Sequence, residues 1–254
     1  RVLFRSAVQE RAELIMLSDI AGYVGADTCG CLLAIRQDQQ EEISLMIDIG
    51  TNGEMVLGNR ERMVTCSTAA GPAFEGAKIE CGMRGAAGAV DHVKYEDGKW
   101  NYTTVGNKPA VGLCGSGLID LVAGLLDAGM LDENGVLRSG QEKQGVFILV
   151  PPERGGNERG VYLTQKDLGE VQLAKAAIAA GIQMLMERLG ITEDDICSVY
   201  IAGAFGNYMD PVSAGKIGLL PATLVKKVKP VGNAAGEGAK IALVNEKEML
   251  EMDE

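Results

Sequence analysis

The residues best suited to chemistry in this chain cluster in Asp48-Ile-Gly50-Thr51-Asn52-Gly53. An apolar run from Ile43 ends in a carboxylate, and a second run, Met55 to Leu57, follows the turn. Two short apolar runs around an Asn-Gly predict a β-hairpin. Its tip carries one carboxylate, one hydroxyl, one carboxamide and two glycines. Glycine lets backbone N–H groups approach an anion without a Cβ in the way, and an Asp holds a metal ion or orients a water. Such a set grips a metal-bound polyphosphate; the simpler alternative is a plain hairpin with a polar tip.

Three other glycine-dense stretches could join it. Ser67-Thr-Ala-Ala-Gly71-Pro72-Ala-Phe-Glu75-Gly-Ala-Lys78 reads as a loop opening a helical turn, with Pro72 near its first position. Gly112-Leu-Cys114-Gly-Ser116-Gly117 leads into an apolar helix over 118–130, with Ser116 as the expected N-cap. A glycine-rich turn at a helix start attracts anions, because free N–H groups and the helix dipole point the same way. Gly203-Ala204-Phe205-Gly206 directly follows a strand over 198–202. Glu75 and Ser116 are polar candidates for the same cleft, with a cap or surface role as the alternative. Phe205 could equally be core. Met83-Arg84, in a further glycine-dense loop, could reach a phosphate, with a surface arginine as the favoured alternative.

The elements that must position these groups follow from periodicity. Strands are expected at 43–49, 53–58, 62–67, 89–95, 99–105, 145–150, 198–202 and 227–231, with Asp97-Gly98 turning the second hairpin. Residues 8–20 read as helical, and the acidic segment 37–42 as a surface turn. Thr164-Gln-Lys-Asp167 resembles a capping box with Asp in place of Glu. Val171, Ala174, Ile178, Ile182, Leu185 and Leu189 then recur every three or four residues, predicting a helix to Leu189 closed by Gly190. Asp210-Pro211 opens another helix, Asn233 caps a last one over 234–243, and the tail 246–254 is expected to fray. The order βββ, then alternating helices and strands, describes an α/β fold: a mixed sheet with helices on its faces. Ligands of such sheets sit beyond the strand ends, where the Asp48 hairpin, the Ser116 helix start and the Gly203 turn are the natural candidates.

Composition narrows the classes. The chain has 254 residues, 46% hydrophobic, 4% aromatic and 34 glycines, which suits a turn-rich aliphatic core. A net charge of −11 argues against nucleic acid or anionic membrane as partner. No apolar run reaches the roughly 18 residues of a membrane span. Six cysteines without a Cys-x-x-Cys pair, and one histidine, fit reduced thiols of a cytoplasmic protein better than a zinc or ferredoxin site.

This order and these loops resemble the actin, sugar-kinase and heat-shock-chaperone ATPase superfamily (ASKHA; ribonuclease H-like lobes). In that resemblance Asp48 to Gly53 matches the second phosphate motif, Ile201 to Gly206 matches the adenosine motif, and residues 18–36 match the helix connecting the lobes. Tyr23-Val-Gly-Ala-Asp27-Thr, Asp48 to Glu54, Ser67 to Gly76, Cys114-Gly-Ser-Gly-Leu-Ile-Asp120, Thr164 to Asp167 and Ala202 to Gly206 together resemble the ATP-dependent reductive activators of corrinoid proteins, over roughly residues 14–245.

The resemblance implies ATP use coupled to reduction of Co(II) to Co(I) on a corrinoid protein or corrinoid-dependent methyltransferase. The electron would come from an iron–sulfur cluster in an N-terminal ferredoxin domain, whose cysteines this chain lacks. It also implies the second lobe only. Residues 1–42 would be connecting helices from a missing first lobe, 43–245 the lobe itself with a glycine-rich insertion at about 83–160, and 246–254 an acidic tail. Asp48 would contact Mg²⁺ or its water and take the catalytic position. Gly50, Thr51, Asn52 and Gly53 would hold phosphates, and Gly203, Ala204, Phe205 and Gly206 would line the adenosine pocket. Half a cleft implies an incomplete active site and an apolar face open to homodimerisation. The alternatives are another ASKHA enzyme, either a small-molecule kinase or a radical-dehydratase activator, or a non-catalytic docking lobe.

Overall fold

The computed structural model describes residues 17–132, 134–138, 145–203 and 206–251. Helix α1 (Ala26–Ile35) precedes the hairpin strands β1 (Ser44–Ile49), β2 (Gly53–Asn59) and β3 (Arg62–Thr68). The insertion holds β4 (Ala89–Glu96), β5 (Lys99–Thr104), β6 (Gly112–Leu113), α2 (Gly115–Asp127), β7 (Val146–Val150) and β8 (Val161–Thr164). Then come α3 (Gln165–Leu189), β9 (Ser198–Ala202), α4 (Pro211–Lys216), β10 (Val228–Gly232), α5 (Ala234–Val244) and α6 (Glu246–Glu251).

The main sheet runs β10-β9-β1-β2-β3. β1, β2 and β3 are antiparallel neighbours, whereas β9 pairs parallel with both β1 and β10. Strand alternation divides the side chains between two cores. Leu45, Ile47, Ile49, Met55 and Leu57 belong to the large core, which α3 shares through Val171, Ala174, Ile178, Ile182 and Leu185. Met46 and Val56 point the other way, to Cys31 of α1 and Ala234 of α5. Asp48 stands two residues after Met46, so the pleat carries it toward the α1 side at the strand's end.

Helices α1 and α5 pack almost backbone to backbone. A Cβ on Gly238 would stand 1.9 Å from the Gly30 carbonyl oxygen, and one on Gly30 would stand 2.8 Å from that of Ala235. The small residues of α1 therefore serve a close helix crossing. In the insertion, β5-β4-β6 form a small sheet against α2. Trp100 lies between Tyr95 and Phe147, with ring centroids 4.9 and 4.8 Å away, and its ring covers Gly124 of α2.

The expected starts and stops hold at several ends. Thr164 and Asp167 form the capping box of α3, and the left-handed Gly190 closes it. Asp210 and Asn233 cap α4 and α5 through their side chains. Other expectations change. Cys114, not Ser116, is the N-cap of α2; Ser116 is buried inside the first turn. Residues 72–78 form consecutive turns rather than a helix, because Lys78 and Gly76 both adopt positive φ. β8 was not foreseen; four residues beside a capping box leave little periodicity to read. The tail forms α6, tied to the body by an Arg36–Glu248 ion pair. The helix expected at 8–20 falls mostly outside the described residues. Among those described, no helix is long and apolar enough to cross a membrane.

Candidate functional site

A cleft of about 660 Å³ opens beyond the ends of β1 and β9. Asp48, Gly50, Glu75, Arg84, Ser116 and Gly203 all contribute to its wall. Sequence separations of up to 155 residues thus converge, and the register explains how. Asp48 pairs with Ala202 across the parallel β1–β9 ladder, so the hairpin tip and the turn after β9 emerge side by side.

Asp48 is half-buried, and its Oδ2 accepts a hydrogen bond from the Cys31 thiol at 3.6 Å. Its Oδ1 faces Gly203: a Cβ there would come within 3.0 Å of it and 2.9 Å of the Ile49 carbonyl oxygen. Gly203 has φ +93°, a conformation open to glycine at little cost. Burial pushes the Asp48 pKa up, the thiol hydrogen bond opposes that, and Glu54 and Asp27 raise it further. Cys31 itself is held as a thiol by burial and by the neighbouring Asp48 carboxylate.

The hairpin tip is braced from outside. The Thr51 hydroxyl donates to Glu75 Oε1 at 3.1 Å. Glu75 is followed by Gly76, whose backbone touches a second loop: a Cβ on Gly82 would stand 2.1 Å from the Gly76 carbonyl oxygen, and one on Gly76 would stand 2.5 Å from the Met83 nitrogen. Met83 N–H in turn donates to the Leu113 carbonyl at 2.9 Å, one residue before the cap of α2. Hairpin tip, Glu75 loop, Arg84 loop and α2 start are therefore laced together. The Ser116 hydroxyl lies 3.4 Å from Cys114 Sγ, whose thiol donates to the Val90 carbonyl at 3.3 Å.

Several candidates have different surroundings from those expected. The Gly50 N–H closes onto the Asn52 carbonyl at 2.9 Å, so it is engaged within the turn. Gly53 is buried away from the cleft, where a Cβ would press on Thr68 and Ile178; its smallness serves sheet–helix packing. Asn52 is exposed at the tip. The Gly203 N–H donates to the Gly232 carbonyl at 2.8 Å, stitching β9 to β10. Gly206 packs under Ile201, with a Cβ excluded at 2.7 Å. Ala204 and Phe205 lie outside the described residues. Cys31, Asp91 and Tyr208 escaped the sequence reading. Only the strand alternation, which turns Asp48 toward α1, could have pointed to Cys31.

The wall bears three carboxylates, Asp48, Glu75 and Asp91, against one cationic side chain, Arg84. No group of three or more His, Cys, Asp or Glu among the described residues could hold a metal ion unaided. A cation here would need ligand oxygens beside Asp48.

Residues 42–254 match the family described as the C-terminal domain of RACo, the ASKHA domain. The chain is 40% identical over 244 residues to the corrinoid activation enzyme RamQ of Eubacterium limosum, covering 90% of this chain and 41% of that protein. It is 31% identical over 271 residues to the [Co(II) methylated amine-specific corrinoid protein] reductase of Methanosarcina barkeri, covering 98% and 47%. A solved reductive activator for a corrinoid, iron–sulfur protein superposes with a TM-score of 0.87 at 41% identity, covering 93% of this chain and 39% of that one. The chain thus spans less than half the length of each relative. The match over residues 42–254 nonetheless settles its membership: the chain belongs to the family of the C-terminal ASKHA domain of the reductive activators of corrinoid proteins.

Proposed function

We propose that this chain is the nucleotide-binding second lobe of an ATP-dependent activator that restores Co(I) on a corrinoid protein. The observation that carries the reading is the juxtaposition of Asp48 Oδ1 with the bare Cα of Gly203 at the ends of adjacent strands. A Cβ at that point would fill the space between the carboxylate and the turn, so the glycine keeps a cradle open where ligands of such sheets bind.

ATP and Mg²⁺ fit this wall. Three carboxylates against one arginine would repel a bare polyphosphate, whereas Mg²⁺ takes oxygen ligands, commonly one or two carboxylates plus phosphate oxygens. Asp48 would hold the ion or a water on it, and Glu75 would keep Thr51 in place at the hairpin tip. Bound MgATP would supply binding energy that differs between two arrangements of activator and partner, and that difference can drive an otherwise unfavourable reduction. Within this chain the residues bind and orient; the electron source is assigned to an iron–sulfur ferredoxin domain outside it.

The same reading makes residues 17–42 the connection to a first lobe, and the corrinoid protein or its methyltransferase the partner, in the cytoplasm. A homodimer through the apolar face turned toward the first lobe belongs to the same reading. The reading is tested anaerobically with the activator that contains this lobe, a reduced electron donor and a Co(II) corrinoid protein, followed by visible absorption. MgATP should produce the Co(I) spectrum, and Asp48→Ala should abolish it. Equal Co(I) formation with and without nucleotide would remove ATP coupling from the account.

A further inference from the structure

We propose that Arg84 is the side chain that grips the phosphate chain of the bound nucleotide, an inference that rests on the nucleotide reading of the cleft. The sequence places Arg84 among glycines and alanines, where a solvated surface charge is the favoured reading and a phosphate contact the alternative. The structure puts it on the wall shared by Asp48 and Gly203, as the one cationic side chain there.

Three observations separate it from an ordinary surface arginine. Among the described residues it makes no ion pair or side-chain hydrogen bond, although Glu75 and Asp91 share its wall. Asp91 is already engaged by the Thr103 hydroxyl at 2.6 Å, and Glu75 by Thr51 at 3.1 Å. Arg84 is exposed, and its guanidinium keeps its five donors uncommitted on the wall of an acidic cleft.

Its backbone, by contrast, is firmly set. Leu113 N–H donates to the Cys81 carbonyl at 2.7 Å and Met83 N–H to the Leu113 carbonyl at 2.9 Å, so the chain just before Arg84 is pinned to β6 by a single parallel bridge between Gly82 and Leu113. The Gly76–Gly82 contact fixes the same loop against Glu75. A free planar fork on a fixed stem suits bidentate recognition of phosphate oxygens. It also adds the positive charge that a triphosphate needs beyond a divalent ion.

Calorimetric titration of MgATP, MgADP and adenosine into the activator that contains this lobe, as wild type, Arg84→Ala, Arg84→Lys and Asp48→Ala, tests this, with thermal unfolding as a folding check. Losing a charge-assisted phosphate contact should weaken MgATP and MgADP about tenfold or more in Arg84→Ala. Adenosine affinity should not change, and Arg84→Lys should fall between, keeping the charge without the fork. If Arg84→Ala binds MgATP like wild type while Asp48→Ala does not, the role of Arg84 is overturned and the nucleotide cleft stands. If adenosine weakens as much as MgATP, Arg84 shapes the pocket instead, and the inference again fails. If wild type binds none of the three, the nucleotide reading and this inference fall together.

Discussion

The Cys31 thiol donates to Asp48 across the junction of α1 and β1, with Sγ 3.6 Å from Oδ2. This fixes one carboxylate oxygen inward and leaves the other toward Gly203. It also joins the helix that leads into the lobe to the residue we assign to the metal–nucleotide complex.

The half-buried position of Asp48 carries a stability cost. Burial raises its pKa, the Cys31 hydrogen bond offsets part of that, and Glu54 and Asp27 add to it. A folded-state pKa above the unfolded value means that the group's stabilising contribution is complete below the ordinary carboxylate value of 3.8 and is lost as pH rises through the raised value. At neutral pH the ionised side chain therefore works against folding. Asp48→Asn should raise the melting temperature at pH 7, by about 2–4 °C for each kcal/mol relieved in a chain of this size. The gap should close as pH falls toward 4. MgATP binding should respond oppositely, weakening on acidification because the ion needs the carboxylate. Melting curves across pH check the first part; a variant less stable than wild type at pH 7 would contradict it.

Gly203→Ala combines backbone strain with a steric block. At φ +93° a side chain is disfavoured by about 1–3 kcal/mol, and the new methyl would meet both Asp48 Oδ1 and the Ile49 carbonyl oxygen. Urea unfolding should register that loss, and calorimetry should find MgATP binding reduced beyond detection. Normal binding by the folded variant would mean that no cradle exists at this turn.

Gly238→Ala should separate α1 from α5. With 1.9 Å to the Gly30 carbonyl oxygen, no rotamer change relieves the clash, so the helices must move at a cost of about 1–3 kcal/mol or more. Because Cys31 adjoins Gly30, amide exchange in α1 should accelerate and nucleotide affinity should drop although the substitution lies outside the cleft. Unchanged exchange in α1 would show that the crossing tolerates the methyl.

Asp167 is fully buried and accepts from Thr164 N–H and hydroxyl through Oδ2 and from Glu80 N–H through Oδ1. Asp167→Ala removes the Asp half of the α3 capping box and orphans the Glu80 amide, so chemical denaturation should show a loss of about 2–3 kcal/mol. Thr164→Ala should cost less, because the contact to Glu80 survives.

The hairpin, the long α3 with its capping box and the turn after β9 were legible because each rests on local signals: alternation, three-to-four spacing, a glycine at a required bend. The resemblance to the activator family rested on those same motifs. What stayed hidden is what folding brings from a distance. Cys31 carries no local mark, and only the pleat of β1 gives it meaning; Arg84 was legible as a surface arginine with a phosphate contact as the alternative, and the bridge of Gly82 to Leu113 is what brings it to the cleft wall. Conversely, Gly53 had the spacing of a phosphate-loop glycine, yet its Cβ is excluded by Ile178 and Thr68, a packing demand from a helix about 125 residues away that no local pattern encodes. Ser116 lost the cap to Cys114 because the helix starts two residues earlier than its polar residue suggests.

The most direct measurement is a calorimetric titration of MgATP into the activator that contains this lobe, wild type against Asp48→Ala. The account predicts saturable binding by wild type that disappears when Mg²⁺ is chelated, and none by the variant. Equal binding by the two proteins, or binding indifferent to Mg²⁺, would contradict the role given to Asp48 and to the cleft it shares with Gly203.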